Sequence, residues 1–173
     1  CSSDLDHDAR ARANLVIYFG GRDALSNAAR FDEMRVIFPN AHILGCSSGG
    51  QIQNNDVLDN EIVAVAISFE NTRLKLVRKP ISAAEDSNVC GATIGEALAA
   101  DDLAGIFILS DGLKVNGSAL VPGISAKTGA HVPITGGLAG DGATFRETLV
   151  GADDAPRQGR VAAIGFYGSS IRF

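Results

Sequence analysis

The sequence predicts an α/β domain, with mixed sheets covered by helices and stacked as a layered sandwich. Three observations carry this reading. Apolar runs of strand length recur along the chain, and each ends in a turn rich in glycine. Segments with helical apolar spacing lie between them. The order of the pieces restarts near residue 105, so that residues 15–100 and 105–173 share one plan: strand, helix, strand, glycine-rich loop, extended strands. An internal duplication within a single domain spanning residues 1–173 is the expectation.

The apolar run 15–19, closed by Gly20-Gly21, reads as a buried strand. Asp23 offers an N-cap. Leu25, Ala28, Ala29, Asp32 and Val36 follow at helical spacing, which predicts one helix over 24–38 that stops at Pro39-Asn40. Residues 42–44 form a second strand that runs into a loop at 45–50. Residues 51–60 are polar and turn-rich. The apolar strand 61–69 turns at Asn71-Thr72 into 73–79, where Leu74 and Leu76 alternate with Arg73 and Lys75. This is the pattern of a hairpin partner with one wet face. A helix over 83–100 is weakened by Gly91 and Gly95. In the second half, strand 106–109 precedes a helix over 117–128, then a strand over 132–135. Strands over 144–150 and 160–167 are joined by a polar loop at 151–159. The duplication aligns 61–69 with 160–167 and 73–79 with 169–173. On that alignment the chain stops inside an edge strand, ahead of a further domain.

Composition excludes several functions. With 46% hydrophobic residues the chain is too apolar to be disordered, and no apolar run approaches the roughly 18 residues of a membrane span. Nucleic acid is disfavoured, because 15 Lys and Arg stand against 20 Asp and Glu with no basic stripe. Cys1, Cys46 and Cys90 are odd in number and make no CxxC pair, which argues against a disulfide framework or a zinc site and fits a reducing, cytoplasmic setting. Cys1 reads as the start of a piece cut from a longer chain. A processed lipoprotein start and an N-terminal nucleophile are the other two readings.

The loop Gly45-Cys46-Ser47-Ser48-Gly49-Gly50 carries the most chemistry. Small residues after a strand expose backbone N–H groups that suit a carboxylate or a phosphate, and the N–H groups from Cys46 to Gly49 would hold the anionic end of a ligand. The loop is not a P-loop, because its spacing differs and no Lys follows. Gly45, Ser47 and Gly49 also match the G-x-S-x-G elbow, with Asp111 and His131 following in hydrolase order. An acyl-transfer hydrolase using Ser47 or Cys46 is therefore an alternative, although no helical stripe follows Ser47. His42 and Cys46 share a strand face, but at roughly 13 Å. Ser110-Asp111-Gly112 sits just past a buried strand. Its carboxylate would either receive a ligand amine or cap the following turn. Asp141, in the run from Gly136 to Gly142, is a second candidate for the amine. That run lacks the dinucleotide register, so no cofactor and no metal are expected. A protein-interaction scaffold is the other alternative.

Three motifs in this order, Gly45-Cys46-Ser47-Ser48-Gly49-Gly50, Leu109-Ser110-Asp111-Gly112 and Pro133-Ile134-Thr135-Gly136-Gly137-Leu138-Ala139-Gly140-Asp141, resemble the N-terminal FIST domain, a sensory module of bacterial signal-transduction proteins. The resemblance runs from about Leu15 to Tyr167. It implies a domain that binds a small polar ligand, with amino acids proposed. The partners it implies are a C-terminal FIST domain and a kinase, chemotaxis or cyclic-dinucleotide output module. Neither catalysis nor a membrane is implied. The residues the motifs nominate for the ligand are Gly45, Cys46, Ser47, Ser48, Gly49, Ser110, Asp111, Gly112, Thr135, Gly136, Gly137 and Asp141.

Overall fold

The computed structural model describes residues 7–53 and 55–173. Cys1, with its three readings, lies outside them. Two four-stranded mixed sheets pack face to face, and helices cover their outer faces, giving four layers in the order helix, sheet, sheet, helix.

A short helix α1 (His7–Arg12) leads into β1 (Leu15–Gly20). Two helical pieces follow, α2 (Arg22–Leu25) and α3 (Ala29–Ile37), then β2 (His42–Ser47), parallel to β1. The expected single helix is therefore split. Ser26 Oγ donates to the Arg22 carbonyl and Asn27 Oδ1 accepts from Ala29 N, so two side chains compete with the helical ladder at the break. Gly21, not Asp23, occupies the N-cap position of α2. The buried stripe is also displaced. Phe31, Met34 and Phe38 face the core, whereas Val36 is 81% exposed.

The polar stretch after β2 folds into a small hairpin, β3 (Gln51–Gln53) and β4 (Asp56–Leu58). Next, β5 (Ile62–Ile67) and β6 (Arg73–Pro80) do not pair with each other as expected. β5 is antiparallel to β1, and β6 joins the other sheet against β10 (Arg160–Tyr167). The Asn14 side chain brackets the Phe69 backbone, donating to its carbonyl at 2.8 Å and accepting from its N–H at 3.0 Å. Those two bonds hold the chain where it crosses between sheets, and Leu74 and Leu76 then bury their stripe between the sheets.

A 3₁₀ turn (Ala84–Asp86) leads into α4 (Ser87–Leu98). β7 (Leu103–Ser110), α5 (Gly117–Thr128) and β8 (Ile134–Leu138) form a second parallel pair with its crossover helix. The glycines of α4 are contact residues of a close helix pair. A Cβ at Gly91 would stand 2.2 Å from the Leu120 carbonyl oxygen, and one at Gly123 the same distance from that of Asn88. β8 extends past its expected end because Gly136 sits at φ +135, where a Cβ would lie 1.8 Å from the Ile108 oxygen. The expected strand over 144–150 shrinks to β9 (Val150–Ala152), since residues 144–147 wrap around the Asp141 carboxylate. The last residues, 171–173, are not a strand, and the Phe173 ring packs edge-on against Phe166.

The sheet orders are β5-β1-β2-β9 and β6-β10-β7-β8. Within them β5-β1-β2 and β10-β7-β8 repeat one arrangement, an antiparallel pair followed by a parallel pair joined through a helix. Period-2 alternation assigns each strand's side chains. On β1, Leu15 and Ile17 face the other sheet, whereas Val16 and Tyr18 face the helices. On β7, Phe107 and Leu109 face inward, whereas Ile106 and Ile108 meet α4 and α5.

Candidate functional site

The two parallel strand pairs end on one side of the inter-sheet space, and a cleft of about 310 Å³ opens there. Phe19, Cys46, Ser47 and Ser48 form its wall on the first sheet. Phe107, Leu109, Thr135, Gly136, Gly137 and Leu138 form its wall on the second. The carboxyl ends of strands in open α/β sheets are where ligands bind, because the backbone ends its ladder there and side chains diverge. Among the nominated residues, Cys46, Ser47, Ser48, Thr135, Gly136 and Gly137 share this cleft. Gly45, Gly49, Ser110, Asp111, Gly112 and Asp141 do not line it.

The segment 45–50 is strand for half its length, since Gly45, Cys46 and Ser47 belong to β2. Its donors are therefore mostly used by the sheet. Ser47 N donates to the Leu149 carbonyl at 2.8 Å and Ser48 N to that of Gly20 at 2.9 Å. This differs from the expectation of a free N–H cradle from Cys46 to Gly49. The Ser47 hydroxyl oxygen accepts from Leu149 N at 2.9 Å and has no solvent-exposed surface. Gly140 N donates to the Ser47 carbonyl, tying the 136–142 run to the end of β2.

The two candidate amine acceptors are occupied by their own loops. Asp111 is 1% exposed. Its Oδ1 accepts from the N–H groups of Leu113 and Lys114 at 2.8 and 2.9 Å, and its Oδ2 from Gly159 N at 2.7 Å. This is the turn-capping role. Ser110 offers its carbonyl to Ala139 N, and Gly112 N donates to Thr148 Oγ1. Asp141 accepts from Thr144 Oγ1 and from the N–H groups of Phe145, Arg146 and Glu147. The N–H of Glu147, then the Thr144 hydroxyl and the Arg146 and Phe145 N–H groups, hold its carboxyl well below the usual carboxylate range. Phe145 pays for this wrap with a left-handed backbone, φ +50, and a side chain exposed to solvent.

Cys46 is 3% exposed, and burial pushes its thiol up to about 12, so it enters the cleft as a neutral group. His42 hydrogen-bonds Asp153 at 2.7 Å from the opposite end of β2, and His131 stands exposed beside Gly129. Among the described residues, no group of three His, Cys, Asp or Glu side chains is placed to hold a metal ion. Nor is any described helix long and apolar enough to cross a membrane.

Four lining residues escape a reading based on polar motifs: Phe19, Phe107, Leu109 and Leu138. Strand alternation aims the first three into the inter-sheet space, but it does not separate a cleft wall from the core between the sheets. Comparison with known proteins finds that the FIST N domain family model matches residues 14–173, nearly the whole chain. No curated protein matches it.

Proposed function

The chain belongs to the FIST N domain family, a family of sensory, ligand-binding domains of signal transduction, and on that premise we propose that it binds its ligand in the cleft between the two sheets. The observation that carries the proposal is convergence. Residues 46–48 and 135–137, far apart in sequence, form facing walls at the ends of β2 and β8. The volume, about 310 Å³, suits a metabolite of amino-acid size. Amino acids or similar small polar molecules are the ligand class we assign. Ligand contacts with both sheets would favour one arrangement of the loops, and a C-terminal FIST domain with its output module would read that arrangement. The buried free thiols Cys46 and Cys90 suit a reducing, cytoplasmic setting.

Thermal unfolding in the presence of each common amino acid tests the proposal. A ligand at about one hundred times its Kd adds roughly 2.7 kcal/mol to the folded state, a shift of several degrees in a chain this long. The control is Gly137→Leu. Gly137 lines the cleft, and a Cβ built on it meets no atom within 4 Å, so a larger residue there starts from open space. We expect at least one amino acid to raise the midpoint, and Gly137→Leu to abolish that shift while folding normally. No shift with any of them, or a shift that Gly137→Leu leaves unchanged, overturns the site.

A further inference from the structure

We infer that the cleft selects its ligand by an apolar body seated inward and a neutral polar end held at the rim, and that it does not recognise ligand charge. This rests on the reading of the cleft as the ligand site. Buried Leu109 and Cys46 form the floor, Phe107 and Ser48 are half-buried with the Ser48 hydroxyl donating to the Gly50 carbonyl at 3.1 Å, and the open edge carries the apolar Phe19 and Leu138 together with the Thr135 hydroxyl. The one hydroxyl on the floor, that of Ser47, is already bonded to Leu149 N. None of the described residues lining the cleft carries a formal charge.

An ammonium or carboxylate moved onto such a floor would lose its water and gain no counter-charge, which is costly. A hydrocarbon group placed there gains the transfer free energy of its buried area. The two carboxylates nearest in sequence to the walls offer no remedy, since Asp111 and Asp141 accept three and four hydrogen bonds from their own loops. An apolar ring or branched chain therefore points inward, between Phe19 of one sheet and Phe107 of the other, and charged ends stay at the mouth in water. Within the amino-acid class, those with apolar side chains fit and those with charged side chains do not.

Calorimetric titration of the chain with indole, tryptophan, aspartate and lysine decides the matter. Indole carries the ring of tryptophan without its ammonium and carboxylate. We expect indole and tryptophan to bind within about tenfold of each other, aspartate and lysine to bind at least about tenfold more weakly, and Gly137→Leu to weaken indole by about tenfold or more. If aspartate or lysine binds as tightly as indole, or tryptophan binds and indole does not, the selection rule falls while the sensory cleft stands. Indole binding that Gly137→Leu leaves intact overturns the assignment of the apolar body to this floor. If none of the four probes binds, and no amino acid shifts the unfolding midpoint, the rule and the site fall together.

Discussion

A carboxylate that accepts three backbone N–H bonds in the interior of a protein stabilises its loop more than any exposed carboxylate can, because each donor left behind would be desolvated and unpaired. Asp111 is in this position. Replacing it with Ala strands the N–H groups of Leu113, Lys114 and Gly159, and we expect a loss of about 3 kcal/mol in urea unfolding with little change in m. Asp111→Asn keeps an acceptor oxygen for Leu113 and Lys114 and should cost less than the Ala variant. A loss under about 1 kcal/mol for Asp111→Ala would contradict the capping role. The same residue explains what a sequence conceals about a site. The dipeptide Asp111-Gly112 announces a turn, but only three-dimensional pairing decides whether the carboxylate serves the turn or a ligand. Glycine and serine motifs located the segments whose residues Cys46, Ser47, Thr135, Gly136 and Gly137 meet. The aromatic walls Phe19 and Phe107 were hidden, since on a strand a binding aromatic and a core aromatic have the same period.

The pair α4 and α5 is held together by the closeness of its backbones. On an isolated helix, Gly→Ala gains about 1 kcal/mol. Here Gly123→Ala should instead destabilise by roughly 1–3 kcal/mol, because the added Cβ meets the Asn88 carbonyl, a backbone atom that cannot rotate aside. Gly117→Ala, at the start of the same helix and facing open space, should be neutral or stabilising. Chemical unfolding of both variants checks the contrast, and a stabilised Gly123→Ala would refute the close-contact reading. At this scale much was legible. The expected limits of α5 and β10, 117–128 and 160–167, coincide with the observed ones, since turn residues bound each of them sharply. Pairing was not legible. Residues 61–69 and 73–79 carry the apolar alternation of a hairpin, and nothing in that alternation says whether two strands share a sheet or lie in two sheets facing each other. The Asn14 clamp on Phe69, 55 positions away, belongs to a partner that local periodicity does not reveal.

Across the whole molecule, two neighbouring carboxylates after β9 tie the layers together. Asp153 accepts from Arg35 on α3, from His42 and from Ile43 N on β2, whereas Asp154 accepts from Arg160 on β10 and from Arg157, with Arg78 of β6 alongside. Burial alone would raise both carboxyls, but the His42 and Ile43 bonds on Asp153 and the Arg160 bond and charge on Asp154 hold them below their ordinary value of 3.8. A carboxyl depressed in the folded state stabilises the fold above its unfolded value and loses that contribution as the pH falls through the folded one. Stability should therefore be flat near neutrality and decline as the pH drops below about 4. Asp153→Asn should lower the neutral plateau and shallow the acid decline, as read by urea unfolding at a series of pH values. A parallel decline in the variant would show that Asp153 is not part of the linkage. The cleft has its own consequence at this scale. Its walls belong to different sheets, so the free energy of an occupant depends on how far one sheet has sheared over the other. By reciprocity, a ligand bound as proposed would resist that sliding, so the offset between the sheets is the coordinate its binding would bias.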